Sequence, residues 1–161
     1  PLEENVFIGP MVNQSALEEI SGQVEKSKEL GAETIVGGSV YENCSTIYKP
    51  TIMVNVPEDA PVWREEVFGP VVAVRLFSND EEAIELANDT RFGLGASVWT
   101  TDMDRAAIMA KEIQAGTVAI NGMVKSDPAL PFGGINESGF GRELSDYGIY
   151  EFVNVKTVSH F

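Results

Sequence analysis

The chain has 161 residues, 43% hydrophobic and 22% charged, the make-up of a soluble α/β or α+β domain and not of a disordered or membrane-embedded polypeptide. One domain of this length buries roughly 70% of the surface its unfolded form exposes, so a core forms without a disulfide or metal staple. Eleven basic residues against 25 acidic ones give a formal charge of −14, which excludes nucleic acid and anionic membrane surfaces as partners and admits an anionic substrate only where local donors overcome the field.

No apolar run approaches the length of a membrane span. The single cysteine, Cys44, rules out an internal disulfide and fits a reducing compartment, and no signal-peptide pattern opens the chain, so a cytoplasmic location is expected. The abrupt start at Pro1, without an initiator Met, leads to the expectation of a piece of something longer.

Leu17, Ile20 and Val24 recur at helical spacing between Ser15 and Leu30. Ser15 with Glu18 has the spacing of a capping box, and Gly31 supplies a stop. Gly37-Gly38 and the polar Glu42-Asn43-Cys44-Ser45 segment read as turns around short strands. The second of these strands runs from about Tyr48 to Val56, and Pro50 favours an edge or a bulge for it.

After Gly69-Pro70, the nearly all-apolar run Val71 to Phe77 reads as a strand covered on both faces, as in a parallel sheet. Ser78 with Glu81 can cap a helix carrying Ala83, Ile84 and Ala87 on one face. A strand at Ala96 to Thr100 follows, and Thr101 with Asp104 repeats the capping spacing. The next helix places Ala106, Met109, Ala110 and Ile113 on one face, ends at Gly116 and leads into the strand Thr117 to Asn121.

Residues 71 to 121 thus alternate strand, helix, strand, helix, strand, the pattern of a parallel sheet with right-handed crossovers. Ligands of such sheets bind outside the carboxyl ends of the strands, which is where Asn121 to Asp127 lies. A glycine-rich region from Pro131 to Glu143 precedes a short helix around Glu143 to Glu151 and a final β-branched strand, Phe152 to Val158. A terminal strand with no hairpin partner beside it often pairs with another chain.

Cys44 could serve as a nucleophile with His160 as its base, but the cysteine sits in a polar turn with no cation nearby in sequence and His160 is the penultimate residue, which argues against a dyad. Gly139-Phe140-Gly141 resembles the start of a dinucleotide fingerprint. No apolar strand precedes it and the third glycine is missing, so a plain turn into the following helix is the better reading. No cluster of His or Cys exists to hold a metal.

The acidic pair Glu65-Glu66 with Phe68 stands apart from these weak signals. Solvated charge is the bland reading of any acidic pair in so acidic a chain. A carboxylate can, however, accept both hydroxyl protons of a ribose, and an aromatic ring two residues on can lie against a flat base. Gly69 and Pro70 give such a loop a fixed aim.

Arg64-Glu65-Glu66-Val67-Phe68-Gly69-Pro70-Val71 resembles the cofactor-contacting loop of the NAD(P)-dependent aldehyde dehydrogenases. Asn121, Pro131-Phe132-Gly133-Gly134 and Ser138-Gly139-Phe140-Gly141-Arg142-Glu143 follow in the order and spacing of that family's carboxyl-terminal third. The resemblance covers essentially the whole chain. It implies an α/β fold with a mostly parallel sheet and flanking helices, a partial catalytic domain over 1–151 and an oligomerisation arm over 152–161.

By the same resemblance, Glu66 holds the nicotinamide ribose hydroxyls of NAD or NADP, and Phe68 packs near the nicotinamide. The nucleophilic cysteine, the general-base glutamate, the oxyanion-hole asparagine and the dinucleotide-binding domain are implied to lie upstream, so no catalytic residue is assigned to this chain and it is expected to be inactive alone. Asn121 to Pro128 resembles the succinate-semialdehyde dehydrogenase branch, in which a serine at the position of Ser126 binds the distal carboxylate of the aldehyde substrate. Phe132 either lines the substrate tunnel or packs beside its two glycines. A homo-oligomer joined through the last strand is implied; a non-catalytic assembly module pairing with a full-length subunit and a small nucleotide-binding α/β protein are the alternatives.

Overall fold

The computed structural model describes residues 6–42 and 46–161, so Cys44 lies outside the described residues. Two compact units divide the chain, 1–76 and 77–161.

In the first unit, helix α1 (Gln14–Glu29) buries Leu17, Ile20 and Val24 on its apolar stripe. Its N-cap is Asn13, not Ser15: the Asn13 side chain accepts from the Ala16 N–H at 2.9 Å. The helix stops as expected, with Gly31 at φ +114°, a conformation that a Cβ disfavours. Strand β1 (Glu33–Val36) pairs antiparallel with β2 (Thr51–Val54), which pairs parallel with β3 (Val71–Ala73). The short helix α2 (Pro61–Arg64) joins β2 to β3, with Pro61 in its first turn, where a missing N–H costs no hydrogen bond.

The expected strand from Tyr48 to Val56 is shorter, and it is central. Pro50 stands just ahead of it, and the ladder begins where the Thr51 N–H donates to the Pro70 carbonyl at 2.8 Å. Val71 to Phe77 is likewise paired only over its first three residues. After the Val74 N–H reaches the Met53 carbonyl (2.8 Å), β2 turns away at Asn55 (φ +52°) and leaves β3 nothing to pair with. The core lies between α1, α2 and one sheet face, where Ile20, Val24, Tyr48, Met53, Ala60 and Val62 are all buried. Burial raises the Tyr48 hydroxyl pKa above its usual value, and the charge of Glu25 adds to that shift.

In the second unit, helix α3 (Asp80–Asn88), strand β4 (Gly95–Val98), helix α4 (Met103–Glu112) and strand β5 (Thr117–Ile120) follow the expected alternation. Strands β4 and β5 pair parallel through α4, while β3 pairs with β2, so residues 71–121 do not form one three-stranded sheet. The caps are again shifted to acidic or amide side chains: Asn79 accepts from the Glu82 N–H and Asp102 from the Arg105 N–H, in place of Ser78 and Thr101. At both N-cap positions the Asx oxygen reaches the third helical N–H.

The Arg105 guanidinium grips the Asp80 carboxylate, tying α4 to the start of α3. The hydrogen bonds to Asp80 and its charge hold Arg105 more firmly protonated than usual, burial opposes them, and the charge of Asp102 adds a smaller push upward. Helix α5 (Ser145–Tyr150) ends the regular structure. Phe152 to Val158 forms no strand within the chain, because no neighbouring segment among the described residues offers it a ladder, and its apolar side chains stand exposed.

A candidate cofactor loop and a candidate substrate segment

The acidic loop of the first unit leaves α2 at Glu65, whose N–H still bonds to the Pro61 carbonyl at 2.9 Å. Beyond Glu65 the loop is held at several points. Gly69 N–H donates to the Val67 carbonyl (3.0 Å), Val71 N–H to the Gly69 carbonyl (2.8 Å), and Val67 packs on the core. Gly69 is required for closeness and not for a left-handed backbone: a Cβ there would stand 2.3 Å from Ile20 Cδ1 and 3.1 Å from Met11 Cε. The glycine therefore lets the loop lie down on α1.

Two side chains project from this braced loop. Phe68 is 78% exposed, and the Glu66 carboxylate is exposed and accepts no hydrogen bond among the described residues. Glu65 behaves differently, because the Gln23 amide of α1 donates to its Oε2 at 3.0 Å and to the Glu66 carbonyl at 3.3 Å. A fixed free carboxylate beside a free ring is an arrangement that can accept the two hydroxyls of a sugar and lie against a planar heterocycle.

In the second unit, the carboxyl ends of the parallel strands carry the other candidates. Asn121 adopts φ +50° at the end of β5. Its side chain accepts from the Thr100 N–H (2.9 Å) and donates to the Thr100 carbonyl (2.8 Å), so it closes the ladder while the main chain turns away. The segment that follows carries Ser126, exposed, and is pinned further on where Ser145 N–H donates to the Pro128 carbonyl at 3.0 Å.

Phe132 is half-buried and exchanges two backbone hydrogen bonds with Glu143, at 2.9 and 2.8 Å. Arg142 Nη1 reinforces this bridge by donating to the carbonyls of Gly134 (2.8 Å) and Gly141 (2.6 Å). Gly139 and Gly141 both have positive φ, at +109° and +81°, as turn glycines do, and Phe140 is fully exposed. The weak dinucleotide fingerprint is therefore a turn. An open depression of about 510 Å³ is lined by Pro128, Ala129, Pro131, Ser145, Asp146 and Tyr147, so neither Ser126 nor Phe132 is on its wall.

His160 is exposed at the far end of the chain, and among the described residues no group of three or more His, Cys, Asp or Glu could hold a metal. No described helix is long and apolar enough to cross a membrane. The bonds of Gln23 to the acidic loop are not legible in the local sequence. A polar Gln23 and Ser27, four apart on the buried stripe of α1, are the available signal.

The first unit thus presents an exposed carboxylate and an exposed ring on one loop, and the second an exposed hydroxyl past the ends of a parallel strand pair, both within α/β units. The chain belongs to the aldehyde dehydrogenase family, whose characteristic sequence matches residues 1–158. It is 50% identical over 151 residues to the protein named Probable succinate-semialdehyde dehydrogenase (NADP+) of Synechocystis sp., covering 94% of this chain and 33% of that protein. It is 43% identical to a succinate semialdehyde dehydrogenase (NAD(P)+) of Escherichia coli, over 98% of this chain and 34% of that one.

The fold superposes on succinic semialdehyde dehydrogenase from Streptococcus pyogenes, solved with NADP+ as the cofactor, with a TM-score of 0.90 and 36% identity over 96% of this chain and 34% of that one. The chain thus spans about a third of the length of the relatives it matches. The expectations of family and of an α/β fold with parallel strands and flanking helices are met.

Proposed function

We propose that this chain is the carboxyl-terminal portion of a cytoplasmic NAD(P)-dependent aldehyde dehydrogenase that oxidises succinate semialdehyde to the dicarboxylate. The observation that carries the reading is the unpaired Glu66 carboxylate two residues from the exposed Phe68 ring, on a loop held through the N–H groups of Glu65, Gly69 and Val71 and the Glu66 carbonyl. Those two groups fit the nicotinamide half of a dinucleotide. A nicotinamide held there would supply the hydride acceptor; overall, the aldehyde, NAD(P)+ and water would give the carboxylate, NAD(P)H and two protons.

Glu66 accepts the nicotinamide ribose hydroxyls, and Phe68 packs beside the ring and restricts its tilt. The chain's contribution is orientation, and a misplacement of about 1 Å costs on the order of 100-fold in rate. Ser126 donates its hydroxyl to the distal carboxylate of the substrate. One hydrogen bond to a charged group is worth roughly 1.5 to 3 kcal/mol, about 10- to 150-fold in affinity, so arginines outside this chain complete the selection. The nucleophile and general base also belong to the remainder of the enzyme, and the isolated chain is inactive.

Glu66→Gln in the full-length enzyme tests the reading. It keeps the shape but replaces one acceptor oxygen with a donor, and it is expected to raise KM for NAD(P)+ about tenfold, the loss of one charged hydrogen bond. Initial rates against cofactor concentration measure this, and an unchanged KM and turnover would refute it.

The exposed apolar run from Phe152 to Val158 is the oligomerisation arm, adding as a strand to the sheet of a neighbouring copy. Deleting residues 152–161 should shift the enzyme toward monomer in sedimentation velocity. An unaltered size distribution would count against the arm.

A further inference from the structure

We propose that Gln23, supported by Ser27 one turn along α1, is the positioning residue of the cofactor loop: it ties the Glu65 carboxylate to α1 and fixes the backbone from which Glu66 projects. The inference rests on the reading of Glu66 as a ribose acceptor. It begins from an anomaly in α1, whose buried stripe of Leu17, Ile20 and Val24 also carries Gln23, at 7% exposure, and Ser27, at 0%. Apolar side chains would fill those positions at no polar cost.

Both polar groups are spent on the short segment from α2 to the loop. The Ser27 hydroxyl donates to the Gln23 carbonyl at 2.7 Å and accepts the Val62 N–H at 3.2 Å, which sets the first turn of α2. The Gln23 amide takes the other end, donating to Glu65 Oε2 and to the Glu66 carbonyl. Both protons of one NH2 group are thereby used, one on each member of the acidic pair. Glu65 becomes an anchor, and Glu66, held only through its own carbonyl, presents a free carboxylate. The sequence Glu65-Glu66 cannot distinguish these roles; the bond to Gln23 does.

The test uses the full-length enzyme. Gln23→Met keeps the volume and removes both donors, and it is expected to raise KM for NAD(P)+ by about three- to tenfold while KM for the aldehyde stays within twofold. Val24→Ala, on the same buried stripe but without contact to the loop's polar groups, is expected to lower the thermal midpoint with no change in cofactor KM. Glu65→Ala leaves the core untouched and should raise cofactor KM at least twofold, and adding Gln23→Met should give less than the product of the two effects.

If Gln23→Met lowers only the thermal midpoint, as Val24→Ala does, or if Glu65→Ala leaves cofactor KM unchanged, Gln23 is a packing residue and the inference is overturned. Glu66→Gln measured alongside separates the two claims. A shifted KM in Glu66→Gln with none in Gln23→Met removes the positioning role alone, whereas no shift in either removes the cofactor reading of the loop as well.

Discussion

Gly116→Ala is expected to destabilise the protein by about 3 kcal/mol, at the upper end of what overpacking a single methyl costs. The reason is what the methyl would meet. A Cβ on Gly116 would stand 1.7 Å from the Gly133 carbonyl oxygen, 2.8 Å from its carbon and 3.2 Å from Gly134 Cα, all main-chain atoms that no rotamer change can clear. The nearest obstacle at Gly93 is instead the side chain of Ile135, at 2.5 Å, which can partly give way.

Gly93 and Gly116 also tie the segment from Ile135 to Ser138 to the start of the parallel pair. Gly116 N–H and Ile135 N–H both donate to the Gly93 carbonyl at 3.0 Å, and Gly93 N–H donates to Ser138 Oγ at 3.0 Å. Pushing Gly133 outward therefore moves Phe132, its immediate neighbour, and strains the bridge to Glu143. In the full-length enzyme a lowered thermal midpoint together with loss of the proposed aldehyde oxidation is the expected pair of observations; a wild-type midpoint would show that the Pro131–Gly134 turn yields more easily than its bonds indicate.

How much of this is legible in the sequence depends on the kind of signal. Periodicity located α1, α3 and α4 because each has an apolar face, and Gly31 stopped α1 as its position required. The caps were misplaced by one or two residues because several side chains near each helix start could bond an N–H, and reach, not composition, selected Asn13, Asn79 and Asp102.

Strand lengths were overstated for a different reason. Val71 to Phe77 has the composition of a strand throughout, but pairing ended where β2 turned at Asn55, a property of the partner and not of the segment itself. The site shows the same division. Glu66, Phe68, Ser126 and Phe132 could be singled out from their motifs, whereas Gln23 and Gly116 act across 43 and 17 residues of sequence, a relation no local pattern carries.

Asn121→Ala is the second change expected to act strongly, because it removes two hydrogen bonds and adds backbone strain at one position. The backbone there is left-handed, which costs an alanine about 1 kcal/mol, and the two side-chain bonds to Thr100 are each worth roughly 0.5 to 1.5 kcal/mol. The sum is about 2 to 3 kcal/mol, since the bonds are exposed and fall toward the low end of that range. The remaining main-chain bond, Asn121 N–H to the Val98 carbonyl at 2.8 Å, keeps the strand pair together.

What is lost is the direction in which the chain leaves the sheet toward Ser126. The full-length enzyme should therefore show KM for succinate semialdehyde raised about tenfold with KM for NAD(P)+ little changed, since a small misdirection of one binding group already costs that much. Asn121→Gly separates the causes, because glycine accepts the left-handed backbone but cannot hold Thr100. If the clamp aims the segment, Asn121→Gly shares the KM defect with a smaller stability loss. If it restores both, backbone strain alone explains Asn121→Ala, and Ser126 takes its aim from the Pro128 to Ser145 bond instead.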